Sequence, residues 1–281
     1  MSSPNHGEGW SEMLEQIVDK LIIERVMNKL VRSRGYTVSK IREPIEYPYI
    51  DVLELILQDY MKQNQDIFFV QIGAHDGMSA DPISDLIRKH HWRGVLVEPQ
   101  PRTFKKLVEN CCGEDQLIFE NCLIGDRDGT TTLYAVRDIG AELPFWVSQS
   151  ASLDREMLAG ALYYWKKVRK EPNIPDDYES IIEELTLPSL TVKTLLAKHH
   201  IERLDLLVID TMGYDFEVLK MFPFDIIKPA IINFEHGLLS LEDQEACFNY
   251  LAGLGYRFTR IHGDTVACLH LRSRMGTYRV V

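Results

Sequence analysis

No apolar run in the 281 residues approaches the roughly 20 needed to cross a bilayer. The opening MSSPNHGEGW lacks the basic and then apolar profile of a secretory leader, so the expectation is a chain without stable membrane insertion. Basic residues are outnumbered, 31 Lys and Arg against 42 Asp and Glu. A formal net charge of −11 speaks against a nucleic-acid partner, because affinity for a phosphate backbone rests on clustered Lys and Arg. The five cysteines, Cys111, Cys112, Cys122, Cys247 and Cys268, are odd in number and scattered. They offer neither a disulfide framework nor paired zinc ligands, and a reduced, cytoplasmic setting is the default. Also missing is G-x-G-x-x-G, the turn that sets a helix N-terminus against a pyrophosphate.

What is present is an alternation of strands and helices centred on residues 66–99, DIFFVQIGAHDGMSADPISDLIRKHHWRGVLVEP. Residues 67–72 form a short apolar run, broken only by Gln71 and rich in branched and aromatic side chains, as for a strand covered on both faces. Gly73, Ala74, His75, Asp76 and Gly77 form a turn in which the glycines permit a sharp bend and a close ligand approach. Asp81 and Pro82 predict a helix start, as N-cap and first helical residue. Residues 95–97 predict the next strand, with Glu98 at its C-terminal end. In an open α/β sheet that end faces the ligand crevice, where an acid can accept both hydroxyls of a ribose. Asp76 would repel a pyrophosphate. A cofactor with an adenosine and a cationic amino-acid end fits better, and S-adenosylmethionine is such a molecule.

The rest of the chain extends this pattern. Residues 10–34 predict an amphipathic helix, packed on the domain or on a partner subunit in preference to a membrane surface. Residues 52–62 predict a second helix, so residues 1–64 read as an N-terminal helical extension and 65–281 as the main domain. A homodimer through the N-terminal helices is compatible with this reading. Residues 101–110 predict a helix and 117–124 a third strand carrying Asn121 and Cys122 near its end. Both are candidate adenine contacts, Asn121 equally a turn-stabilising side chain. Residues 130–136 predict an extra strand.

Residues 137–190 break the rhythm and predict a lid or acceptor insert, with Tyr163, Tyr164 and Trp165 either stacking on substrate or packing the insert itself. Alternation resumes with a helix at 191–200 and an apolar strand at 204–209 that ends on Asp210. A helix after Asp215, a strand at 230–234 ending on Glu235 and His236, and a helix at 241–254 follow. Two last strands, 256–261 and 265–271, flank a hairpin-type turn at His262, Gly263 and Asp264. The expected fold is α/β and Rossmann-like, with about seven mostly parallel strands and the last one antiparallel.

Asp210, Glu235 and His236 follow neighbouring strands and are expected on the same crevice as Gly73 and Glu98. Transfer of a methyl group to a hydroxyl needs a base, for which His236 is a candidate. Alternatively Asp210, Asp215, Glu235 and His236 hold a divalent cation that acidifies the hydroxyl.

Taken together, FVQIGAHDG, GVLVEPQP, IFENCLIG, LDLLVIDTMGYDFEVLK and IINFEH resemble the FkbM-type S-adenosylmethionine-dependent methyltransferases from residue 66 onward. The resemblance implies a class I methyltransferase fold, cofactor binding at residues 73–77 and Glu98, and O-methylation of a hydroxyl on a small natural product or carbohydrate. It places the Asp210 motif, with Asp210 also beside the cofactor, on the active side of the crevice. One departure stands out. The family pattern there reads Asp-x-Glu-Gly, whereas this chain has Asp210, Thr211, Met212 and Gly213. A thioether neither takes a proton nor binds a hard cation, so an impaired or purely cofactor-binding protein is one alternative. A nicotinamide-dependent oxidoreductase on the same fold is the other.

Overall fold

A computed structural model describes residues 51–140 and 142–269. The helix expected over residues 10–34, and with it the expected subunit contact, lies outside them.

Seven strands form one sheet, in the order β10-β11-β9-β8-β1-β2-β3. These are β1 (Phe68–Ile72), β2 (Arg93–Val97), β3 (Leu117–Glu120), β8 (Leu206–Ile209), β9 (Ile231–Glu235), β10 (Arg257–Ile261) and β11 (Asp264–Cys268). From β3 through β9 the neighbours are parallel, and β11 runs antiparallel between β9 and β10. The two-residue connection at His262 and Gly263 returns β11 into the sheet, with His262 at a φ of 53°.

Period-two geometry explains the apolar runs. Val70, Ile72, Val97, Leu207 and Ile209 point to one buried cluster, while Phe69, Leu96, Leu206 and Val208 point to the other. Helices α1 (Val52–Met61), α2 (Ser84–His90) and α3 (Pro101–Asn110) cover the second face through Leu57, Ile87 and Leu107. Helices α6 (Val192–Lys198), α7 (Asp215–Met221) and α8 (Leu241–Gly253) cover the first through Leu195, Val218 and Leu251. This is a three-layer Rossmann-like sandwich. Helix α1 belongs to it: the Tyr60 hydroxyl donates to Asp205 at 2.6 Å, at the opposite end of the sheet from the crevice.

Two local expectations are corrected. Helix α2 begins at Ser84 and not at Pro82, because Asp81 Oδ1 accepts from the N–H groups of both Ile83 (2.8 Å) and Ser84 (2.7 Å) in a side-chain turn that precedes the first helical residue. Residues 117–124 are not one strand. The chain leaves the main sheet after Glu120, and β4 (Leu123–Ile124) pairs with a different sheet.

That second sheet has the order β4-β7-β5-β6, with β5 (Gly129–Val136), β6 (Ala151–Ser152) and β7 (Ile182–Leu190). Although residues 171–188 carry three prolines, β7 pairs with all of β5. Pro188 is tolerated because β4 pairs only with Ser189 and Leu190 beyond it. Between β6 and β7, α5 (Arg155–Tyr163) continues into a π-helical turn, Tyr164–Val168. Val136, Val147, Leu158, Leu162 and Ile181 give this unit its own small core.

Candidate functional site

The C-terminal ends of β3, β2, β1 and β8 are tied into one rim. Gly73 and Ala74 N–H donate to the Val97 carbonyl at 2.9 and 3.0 Å, Glu98 N–H to Glu120 at 3.0 Å, and Asp210 N–H to Ile72 at 3.0 Å. Gly73 is obligatory by contact as well as by its φ of 83°: a Cβ there would lie 1.8 Å from the Asp210 carbonyl oxygen. Between this rim and the second sheet lies a cleft of about 1340 Å³. Single-ligand pockets hold roughly 300 to 1,000 Å³, so the space suits a cofactor and an acceptor together.

Glu98 is the best-defined group on its wall. It is buried at 1% exposure, with Oε2 accepting from His75 N–H at 3.0 Å and Oε1 from Gln100 N–H at 2.9 Å. Burial pushes its carboxyl up to about 7, with Asp210 acting in the same direction and His75 and the two N–H donors against it.

The remaining turn residues divide. Gly73 and His75 line the cleft; Ala74, Asp76 and Gly77 do not. Ala74 is buried in the core on the α1–α3 face. Gly77, at a φ of 67°, has no room for a Cβ against Leu107 and Cys111. Asp76 organises the turn, accepting from the N–H groups of Met78 (3.0 Å) and Ser79 (2.7 Å), the Ser79 hydroxyl and Gln149 Nε2. Burial alone would raise its carboxyl, but these donors outweigh it and hold the group below the usual range. Asn121 spends its amide on the Glu98 and Pro99 carbonyls at 2.8 and 3.0 Å, fixing the bend after β2, whereas Cys122 lines the cleft with its thiol pushed up to about 12 by burial.

On the far wall, Asp210, Thr211, Met212 and Glu235 face the cleft. Burial, with Asp210, Asp215 and Asp264 nearby, holds the Glu235 carboxyl well above the ordinary carboxylate range. Met212 takes a left-handed φ of 54°. Two expected partners are turned elsewhere. Asp215 is fully buried, with Oδ2 accepting from Thr211 N–H (3.2 Å) and hydroxyl (2.8 Å) and Oδ1 from Glu235 N–H (3.1 Å). It fastens the loop after β8 to the end of β9. The His236 ring packs against Phe248, its Nδ1 3.0 Å from the Thr265 hydroxyl, and it is absent from the cleft wall. Side chains alternate along β9, so Glu235 and His236 point to opposite faces. Among the described residues no three His, Cys, Asp or Glu are grouped to hold a metal ion, so the expected cation cage does not form.

The second sheet adds wall residues that carried no sequence signal. Gln149, next to the short helix α4 (Phe145–Ser148), donates to Asp76 while its backbone carbonyl accepts from the Gln100 amide. Trp146 and Met157 also line the cleft.

The sequence pattern of the Methyltransferase FkbM domain matches residues 71–258. This chain belongs to the FkbM methyltransferase family. A search of curated proteins finds no match. Among solved structures, the methyltransferase FkbM from Methylobacillus flagellatus KT is similar at 13% identity, with 73% of this chain and 44% of that chain covered and a TM-score of 0.42. An RNA methyltransferase from Salinibacter ruber, in complex with S-adenosyl-L-homocysteine, is 13% identical over 79% of this chain and 91% of that one, with a TM-score of 0.34. A putative caffeoyl-CoA O-methyltransferase from Staphylococcus aureus is 11% identical over 90% and 97%, with a TM-score of 0.39.

Proposed function

We propose that this FkbM family member uses S-adenosylmethionine to methylate a hydroxyl of a small acceptor bound between the main sheet and the second sheet. The observation that carries the reading is Glu98: a carboxylate at the end of β2, on the cleft wall, held in place by two backbone N–H groups. It suits the two hydroxyls of a ribose. Asp210 and Glu235 further along the cleft suit a sulfonium cation, and Arg169 is the only Lys or Arg among the described residues lining it. A pyrophosphate-bearing nicotinamide cofactor would meet carboxylates there instead.

S-adenosylmethionine supplies an electrophilic methyl group on a positively charged sulfur. The chain's part is to grip the ribose with Glu98, to orient the turn through Asp76 and Gln149, and to relieve the acceptor oxygen of its proton. With the His236 ring off the cleft, that proton goes to a carboxylate oxygen of Asp210 or Glu235. A carboxyl with a raised pKa is the stronger base once ionised.

Calorimetric titration with S-adenosylhomocysteine tests the assignment. Wild type should bind. Glu98→Ala should weaken binding by roughly 10- to 100-fold, the worth of hydrogen bonds to a charged group. Unchanged affinity in the variant would remove Glu98 from the ribose.

A further inference from the structure

The cleft wall opposite the strand ends carries several aromatic residues, delivered in part by an irregular helical turn. After α5 the chain widens into the π-helical turn, with Arg169 N–H donating to the Tyr164 carbonyl at 3.0 Å, five residues back. Tyr163, the last residue of α5, and Tyr164 and Trp165 of the π-helical turn all line the cleft. Such turns concentrate at functional sites, where they re-aim side chains at the expense of regular hydrogen bonding. Trp146 joins them from α4 at 40% exposure, a large apolar ring left open beside the cleft.

Charge supplies a second, independent constraint. Six acidic residues line the cleft: Asp210 with Glu98 and Glu235, the last two raised in pKa by burial, at the strand ends, and the exposed Asp154, Glu156 and Glu179, the last paired with Arg155 at 3.0 Å, on the second-sheet side. Against them stands Arg169, exposed. A cationic cofactor is compatible with this field. An acceptor bearing a phosphate, sulfate or carboxylate would bring like charge into a site with little to neutralise it.

Resting on the function proposed above, we infer that the second sheet's helical arm selects an uncharged acceptor with a flat or apolar face, held against Trp146, Tyr164 and Trp165, and rejects anionic acceptors. The aromatic rings supply area and stacking at low entropic cost. The carboxylates supply the discrimination.

The experiment uses the full chain saturated with S-adenosylhomocysteine and two probes, 1-naphthalenemethanol and its phosphate monoester, followed by calorimetry. The alcohol should bind and the ester should bind at least about tenfold more weakly. Trp146→Ala and Trp165→Ala should each weaken the alcohol by about three- to tenfold, the worth of an aromatic contact, with S-adenosylhomocysteine affinity unchanged. Trp146→Phe should retain most of the affinity, separating stacking from loss of bulk. Glu156→Lys should narrow the gap between alcohol and ester. Equal or tighter binding of the ester, no binding of the alcohol to the loaded protein, or alanine variants indistinguishable from wild type would each overturn the inference while leaving the cofactor assignment standing. Failure of wild type to bind S-adenosylhomocysteine would instead bring down the proposed function, and this inference with it.

Discussion

At the scale of single residues, Met212 and His236 make the sharpest predictions. Met212 sits on the cleft wall at a φ of 54°, a region costly to any side chain with a Cβ. Met212→Gly should therefore raise stability by roughly 0.5 to 1 kcal/mol, measured by urea unfolding. Met212→Glu places a carboxylate where the family pattern has one. It should increase turnover in a methyl-transfer assay, and equal rates for both forms would show that the side chain has no part in chemistry. His236 tests the choice of base. Because its ring packs on Phe248 and Thr265, His236→Gln should keep kcat within about tenfold of wild type. A loss beyond a hundredfold with cofactor binding intact would return the proton-accepting role to the imidazole.

At the scale of elements, the site depends on two strand ends touching. The turn after β1 passes so close to the end of β8 that a methyl group at Gly73 would overlap the Asp210 carbonyl. Gly73→Ala should cost about 1 to 3 kcal/mol or more through overpacking and positive φ, and should abolish S-adenosylhomocysteine binding even at temperatures where the variant stays folded. A melting temperature and affinity equal to wild type would mean that β1 and β8 can separate without consequence. Strands such as β1 and β8 were legible in the sequence because burial on both faces leaves no polar alternation to misread. The break after Glu120 was not, since a two-residue strand such as β4 has no periodicity to show. The aromatic triplet was visible at residues 163–165, but in one dimension stacking on a ligand and packing within the insert look alike. That all three residues line the cleft is a three-dimensional fact.

At the scale of the whole molecule, carboxyls buried around the cleft make stability depend on pH. Burial pushes Asp264 to about 6, Glu98 to about 7 and Asp215 to about 8, all above the value of about 4 expected in the unfolded chain. The folded state therefore holds more protons than the unfolded one, and stability is lost as pH rises through these values. His236 acts oppositely: its pKa is lowered by burial and by Arg260, so its contribution is present above the ordinary imidazole range and lost as pH falls. The unliganded protein should melt at progressively lower temperature between about pH 6 and 8. A sulfonium near these carboxyls would favour their ionised forms, so affinity for S-adenosylmethionine relative to its product, which lacks the sulfonium charge, should rise over the same interval. A flat melting profile and a constant affinity ratio would show that these acids are not held protonated.

By itself the sequence determined the layer order of the sandwich, the family and the carboxylate at the end of β2, because each is written in contiguous residues: apolar runs, a glycine turn and an acid that ends a strand. Among the described residues, no helix is long and apolar enough to cross a membrane. Tertiary structure alone decided which of the flagged side chains face the cleft. Asp215 and His236 are neighbours of Asp210 and Glu235 in motif and in space, yet one is sealed by three donors and the other lies on the opposite face of β9. The cleft wall opposite the strand ends comes from residues 145–165, far from them in sequence. Facing is a property of pleat and packing, which join residues that no local spacing relates.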